Sequence, residues 1–404
     1  MTVTVPKSTA RGSVSAPPSK SMGHRLLISA ALAEGESTIR GISTQSADMQ
    51  ATIACLRALG ADCHIEEDVV HVRGTDVRGK TPAEPLFCNE SGSTLRFLIP
   101  IALLSGNNVM FSGAESLFAR PMSVYETMCA ERGLFFSKDA KSAVVRGPLN
   151  AGEYRVAGNI SSQFISGLLF ALPLLAEDSI IRITPPLESR SYIHLTISAL
   201  AEFGIRVEWR DDYTIFVPGG QKYLPCDIAV EGDYSGAAFL AALTTLGGEV
   251  EVTGLRPDSG QGDRVYDRFF PMLTRGTPTI HIGDCPDLGP ILFAVAAAKN
   301  GAIFTGTKRL RIKESDRVAS MAEELAKFGV TVTEGEDSTV IYPSDFHAPT
   351  DTLCGHNDHR IVMALTILAT LTGGKITGAE AVKKSFPNFF EKLIMLGISI
   401  AEKQ

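Results

Sequence analysis

The stretch CNESGSTLRFLIPIALLSGNNVMFSG, Cys88 to Gly113, decides the fold. It opens on small polar residues and passes into an apolar segment of helical length. It then turns at a glycine and ends in a short strand-like run. The same order recurs in Pro17–Gly41, Gly158–Thr184, Glu231–Gly254, Cys285–Gly306 and Gly355–Gly378. Repeats of this kind mark repeated structural units. The helix starts fall near residues 20, 92, 162, 235, 287 and 358, with a short fourth unit. Most copies add a second half, seen in Met49–Gly74, Tyr192–Val217 and Asp316–Pro343. There the apolar positions follow i, i+3, i+4, i+7 and then alternate, which predicts an amphipathic helix and then strands.

The chain therefore reads as α/β and pseudo-sixfold. The first helix of each copy is apolar nearly all round, so it belongs inside, with sheets outside. Three copies can share one bundle of buried helices, which predicts two lobes. The expected lobes are residues 14–228, and residues 1–13 with 229–404. The crossing falls between Cys226 and Gly232, without a Pro/Gly/Ser-rich linker.

Composition narrows the function classes. A hydrophobic fraction of 44% with 21% charged residues is that of a folded globular chain. The net charge of −7 argues against a nucleic-acid binder, which usually carries a basic face. Met1–Ser13 lacks the apolar core of a signal peptide. The most apolar stretch, Phe164–Ala176, contains Pro173 and is too short to span a bilayer. Seven cysteines, an odd number with no CxxC pair, point to a reducing cytoplasm and away from a disulfide framework or zinc site. There is no Walker loop and no GxGxxG after a strand, so nucleotide binding has no support.

The unusual residues gather at helix starts. Lys20-Ser21 with Arg25, Ser91-Gly92-Ser93 with Arg96, Ser161-Ser162-Gln163, Asp287 and Asp358-His359-Arg360 open first helices. Arg120-Pro121, Ser189-Arg190-Ser191-Tyr192, Lys313-Glu314-Ser315-Asp316-Arg317 and Lys384-Ser385-Phe386-Pro387 open second helices. Ser, Asp and Asn at such positions are most often plain caps. Cations are disfavoured there by the helix dipole, so their repetition asks for anions. A small ligand with phosphate and carboxylate groups fits. Arg25 and Arg96 lie in largely apolar helices, where an unpaired charge is costly.

Taken in order along nearly the whole chain, these motifs resemble the 5-enolpyruvylshikimate-3-phosphate synthase family. They include Pro17-Pro18-Ser19-Lys20-Ser21, Ser91-Gly92-Ser93-Thr94-Leu95-Arg96, Lys313-Glu314-Ser315-Asp316-Arg317 and Asn357-Asp358-His359-Arg360. The resemblance implies a two-lobed inside-out α/β barrel of six βαβαββ units that closes on its ligands. It implies enolpyruvyl transfer from phosphoenolpyruvate to the 5-hydroxyl of shikimate 3-phosphate, without metal or organic cofactor. A cytoplasmic monomer, with no nucleic-acid or membrane partner, goes with it.

Position by position, the resemblance places Ser21, Arg25, Ser161, Ser162, Gln163, Ser189 and Tyr192 at shikimate 3-phosphate, together with Lys20, Asp287 and Lys313. It places Lys20, Gly92, Arg120, Gln163, Arg317, His359, Arg360 and Lys384 at phosphoenolpyruvate. Asp287, Glu314 and Lys20 are the implied catalytic groups, and the proton at C3 is left between Glu314 and Lys20. In that family the glycine matching Gly92 leaves room for the herbicide glyphosate. Glu90 departs from the family, which commonly has Asn there; it is expected to pair with Arg120 or Lys20. UDP-N-acetylglucosamine enolpyruvyl transferase is the nearest alternative, but its cysteine place holds Glu115 here. A non-catalytic anion-binding relative is a further alternative.

Overall fold

In a computed structural model, which describes residues 1–403, the chain divides into two compact units: Pro18–Val230, and Met1–Pro17 with Glu231–Gln404. In the first unit the helices are α1 (Lys20–Leu32), α2 (Ala47–Ala58), α3 (Gly92–Ala102), α4 (Glu115–Phe118), α5 (Ser123–Glu131), α6 (Ser162–Ala171) and α7 (Arg190–Glu202). The second unit adds α8 (Tyr234–Thr245), α9 (Tyr266–Arg275), α10 (Gly289–Ala298), α11 (Arg317–Ala326), α12 (His359–Thr372) and α13 (Phe389–Met395).

Small polar residues start these helices because they satisfy the free N–H groups of the first turn. Ser19, Ser91, Ser161, Asp233, Asp316 and Asp358 each accept from a backbone N–H at the start of α1, α3, α6, α8, α11 and α12. The apolar run behind each cap then has nowhere polar to face. Every residue from Gly23 to Leu32 of α1 is buried, as is every residue from His359 to Thr370 of α12.

Close helix packing in the first unit depends on three residues. Pro100 lies inside α3 and has no N–H, so the Arg96 carbonyl loses its helical partner. The buried Tyr125 hydroxyl donates to that carbonyl at 2.7 Å. Gly167 of α6 lets this happen: a Cβ there would stand 2.3 Å from the Tyr125 oxygen and 2.4 Å from the Arg96 carbonyl.

Strands cover the helices in a repeated pattern. In the first unit Leu86–Phe87 pairs in parallel with Val109–Ser112, which continues antiparallel to Ser142–Arg146 and then Phe135–Lys138. Gly152–Ala157, Ser179–Thr184, Thr214–Val217 and Glu208–Asp211 repeat this order. So do Asp227–Ala229, Glu36–Arg40, Val69–Arg73 and Asp62–Glu66. A parallel pair needs a crossover; the buried helices α3 and α6 supply it in the first two of these sheets, whereas Asp227–Ala229 returns to Glu36–Arg40 from the far end of the unit. The second unit holds two four-stranded sheets and a two-stranded one, each again containing one parallel pair.

Three details differ from the sequence reading. The break expected at 13/14 falls at 17/18, because Arg11–Ser15 pairs in parallel with Glu249–Thr253. Asp287 does not cap a helix; it lies in the single 3-10 turn Pro286–Leu288 before α10. Lys384 ends a 3-10 helix, Ala379–Lys384, and precedes α13 by several residues.

Candidate active site

The candidate residues of the first unit meet where α1, α3, α6 and α7 begin. Lys20 opens α1, and its ammonium meets the Asp48 carboxylate at 2.9 Å, with both side chains under one-fifth exposed. One turn on, Arg25 is buried, and burial lowers its pKa to about 10. Its Nε donates to Thr196 Oγ1, and its two terminal nitrogens donate to the carbonyls of Ser21 and Tyr192. Those bonds use three of five N–H groups and tie α1 to α7. Ser189, before α7, is buried in left-handed backbone at φ 56°, a conformation rare for serine. Ser161 caps α6, Ser162 is buried beside it, and Tyr192 is half-buried on the first turn of α7.

Gly92 stands against three polar side chains. A Cβ there would lie 3.2 Å from an Arg120 terminal nitrogen, 3.3 Å from one of Arg96 and 3.4 Å from Gln163 Oε1. Arg96 donates to Gln163 Oε1 at 2.8 Å, and Gln163 Nε2 donates to Ser93 Oγ at 3.0 Å. Glu90 accepts from Ser116 Oγ at 3.0 Å.

The second unit gathers a buried charge cluster. Arg317, 1% exposed, donates from Nε to Asp358, from one terminal nitrogen to Asp287 at 3.0 Å and from the other to Glu314 at 2.7 Å. Burial opposes its charge, but Asp358, Glu314 and Asp287 together raise its pKa above the ordinary value. Burial also opposes the Asp358 charge, yet Arg317 holds that carboxyl below its usual range. Arg360 donates to Asp287 Oδ2 at 2.9 Å, to the Asp287 carbonyl at 3.2 Å and to Ser235 Oγ at 2.8 Å. Lys313 lies 3.4 Å from Asp287 Oδ1; desolvation lowers its pKa to about 8, although a quarter of its side chain is exposed. Three cations thus converge on the Asp287 carboxylate. His359 is buried on the first turn of α12, 3.8 Å from Asp358. Lys384 reaches the same turn and donates to the Asn357 carbonyl at 2.6 Å.

The structure also brings in residues that the motifs did not single out as site groups. Asp48 holds Lys20, Thr196 holds Arg25, Ser235 holds Arg360, and Asp358 holds Arg317. Asp358 had a signal, an acid before His-Arg at a helix start; the other three are ordinary in sequence. Cys88 and Cys129 are buried, and burial raises both thiol pKa values, so neither is poised as a thiolate. Glu115 is exposed and pairs with Lys141 at 3.0 Å.

Comparison with known proteins agrees along the chain. The family model for EPSP synthase (3-phosphoshikimate 1-carboxyvinyltransferase) matches residues 5–275 and 273–393. A 3-phosphoshikimate 1-carboxyvinyltransferase of Clostridium perfringens is 39% identical over 429 residues, covering 99% of both chains. One of Clostridium acetobutylicum is 40% identical over 416 residues, covering 97% of this chain and 96% of its own. Among solved structures, EPSP synthase of Acinetobacter baumannii superposes with a TM-score of 0.79 at 24% identity, covering all of both chains. The enolpyruvyl transferase NikO of Streptomyces tendae gives 0.77 at 14% identity, covering 100% of this chain and 98% of its own. These two likenesses speak to the α/β fold alone. With cations and acids gathered at the same motifs that carry the resemblance, and with relatives matched end to end, the chain belongs to the EPSP synthase family.

Proposed function

We propose that this chain transfers the enolpyruvyl group of phosphoenolpyruvate to the 5-hydroxyl of shikimate 3-phosphate and releases inorganic phosphate. Beside family membership, the observation that carries the reading is the convergence of Lys313, Arg317 and Arg360 on Asp287. Fixed cations with matched acids suit substrates bearing phosphate and carboxylate groups. In the first step the 5-hydroxyl oxygen bonds to C2 of phosphoenolpyruvate, its proton leaves, and C3 gains a proton. In the second, the methyl group so formed loses a proton and the C2–O bond to phosphate breaks. Each step needs a group that holds or moves a proton.

We assign the 5-hydroxyl proton to Asp287 and the proton at C3 to Glu314 or Lys20. Ser21, Arg25, Ser161, Ser162, Gln163, Ser189 and Tyr192 bind shikimate 3-phosphate, with Lys20, Asp287 and Lys313. Lys20, Gly92, Arg120, Gln163, Arg317, His359, Arg360 and Lys384 bind phosphoenolpyruvate. Glu90 orients a neighbouring cation in this reading. Each unit is taken as an inside-out barrel of βαβαββ repeats, residues 18–230 serving mainly shikimate 3-phosphate and the other unit the acid–base chemistry. The enzyme is taken as a cytoplasmic monomer. Among the described residues no helix is long and apolar enough to cross a membrane.

The test is phosphate release on mixing the enzyme with shikimate 3-phosphate and phosphoenolpyruvate. Release that needs both substrates is the expected result. Release only with UDP-N-acetylglucosamine as acceptor would establish the alternative, and release with neither acceptor would leave a binding protein.

Gly92→Ala gives a sharper result. The new methyl group would crowd Arg120, Arg96 and Gln163 at 3.2–3.4 Å and narrow the space they border. The KM for phosphoenolpyruvate rises about 10-fold, a loss of uniform binding, while that for shikimate 3-phosphate stays near wild type. An unchanged phosphoenolpyruvate KM would remove Gly92 from that subsite.

A further inference from the structure

Two turns beyond Arg317 on α11 lies a buried carboxylate that the reaction scheme does not use. Glu324 is 0% exposed. Its Oε1 meets His356 Nε2 at 2.9 Å, its Oε2 accepts the Cys354 backbone N–H at 2.9 Å, and Lys327 donates to both oxygens. Glu323, Glu324 and His356 have the ligand types of a metal site, with atoms within 4.8 Å of one another. The Lys327 ammonium already lies where a metal would compete, and both Glu324 oxygens are engaged, so a metal reading fails.

What Glu324 holds is a turn. His356 and Asn357 adopt left-handed backbone at φ 47° and 51°. Two successive non-glycine residues keep this conformation only when their surroundings impose it. The turn leads directly into Asp358, His359 and Arg360. Its Asn357 carbonyl accepts from Lys384, and its Asp358 accepts from Arg317. One side of the turn thus faces the charge cluster, and the other is pinned by Glu324.

We propose that Glu324 and His356 are a positioning pair for the phosphoenolpyruvate cations, fixing the 356–358 turn and through it Lys384, Arg317 and Arg360. The inference rests on the reading of those three cations given above. The groups facing His356 are Glu324 and Glu323, at 4.0 Å, from α11, Lys327 just past the end of that helix, and Cys354, whose sulfur accepts the His356 backbone N–H at 3.4 Å. The bond to Glu324 raises the His356 pKa, while burial works against its charge. The sign follows. The charged pair is complete at acid pH and loses its charge as pH rises through the elevated His356 value.

The test compares wild type, His356→Gln and Glu324→Gln by steady-state rates between about pH 6 and 9, a range that extends above the ordinary histidine value. The glutamine side chain of His356→Gln keeps a donor to Glu324 but cannot titrate. The wild-type phosphoenolpyruvate KM rises several-fold more steeply with pH than that of His356→Gln, while the shikimate 3-phosphate KM follows one curve in both. Glu324→Gln raises the phosphoenolpyruvate KM about 10-fold with kcat within about twofold, the signature of lost uniform binding. If that buried variant does not fold, the His356→Gln comparison decides alone. Superimposable KM curves for wild type and His356→Gln overturn the positioning pair while the functional reading stands. Absence of wild-type turnover overturns the functional reading, and the pair falls with it.

Discussion

Asp287→Ala loses at least about 10²-fold in kcat, the scale of a lost general acid–base group, while shikimate 3-phosphate still binds. The carboxylate lies where Lys313, Arg317 and Arg360 converge, so it is held without freedom to rotate away. A proton acceptor fixed in this manner costs no reorganisation at the moment of transfer. Removing it also leaves three cations facing one another, and Arg360 loses both its carboxylate and a preferred orientation. Asp287→Asn separates the two effects, since it keeps the shape and one hydrogen-bond acceptor but no base. Its kcat falls nearly as far. Single-turnover rates with equilibrium binding of shikimate 3-phosphate make the measurement, and near-normal turnover in the alanine variant would sink the assignment.

Arg317→Leu is the most damaging change to the fold. Arg317 is 1% exposed and partners Asp358, Glu314 and Asp287. Leucine fills part of the volume but leaves a fully buried Asp358 without its guanidinium. Breaking a buried pair from one side costs about 3–5 kcal/mol. Urea unfolding at about pH 7.5 should show a loss of that size, with kcat/KM falling as well. The pH dependence supplies a check. In the wild type the Asp358 carboxyl is held low, so its contribution is present above the ordinary aspartate range and fades as pH falls through the depressed value. In the variant, acidification lets Asp358 take up a proton and the deficit narrows. A variant with an unchanged urea midpoint would show that the cluster contributes nothing net to stability.

The six first helices were legible because each carries local evidence: an apolar run with a glycine or acidic turn behind it, and in five of the six a capping residue before it. Lys20, Gly92, Ser162 and His359 open helices where the pattern placed them. What sequence could not supply was partner choice. Asp48 with Lys20, Thr196 with Arg25 and Ser235 with Arg360 are joined by tertiary packing across 28, 171 and 125 positions. No local signal distinguishes those acids and hydroxyls from surface ones. Asp287 and Lys384 were expected at helix starts, and both lie instead in 3-10 segments. Pro286 and the Gly289-Pro290 pair favour a short 3-10 turn over a capped helix, and a 3-10 helix has no strong periodic signature.

The pairing of residues 2–5 with both 374–377 and 401–403 has a consequence for synthesis. The strand holding Val3 and Val5, both fully buried once folded, is synthesised before residues 18–230 and meets its partners only after them. At about 5–20 residues per second, the wait is on the order of 20–75 s. Residues 18–230 contain all the strands of their own three sheets and can fold meanwhile. The nascent N-terminus must stay unpaired throughout, an apolar edge open to wrong neighbours. Folding during synthesis therefore starts with residues 18–230, and a ribosome stalled before residue 374 holds one finished unit and one that cannot close.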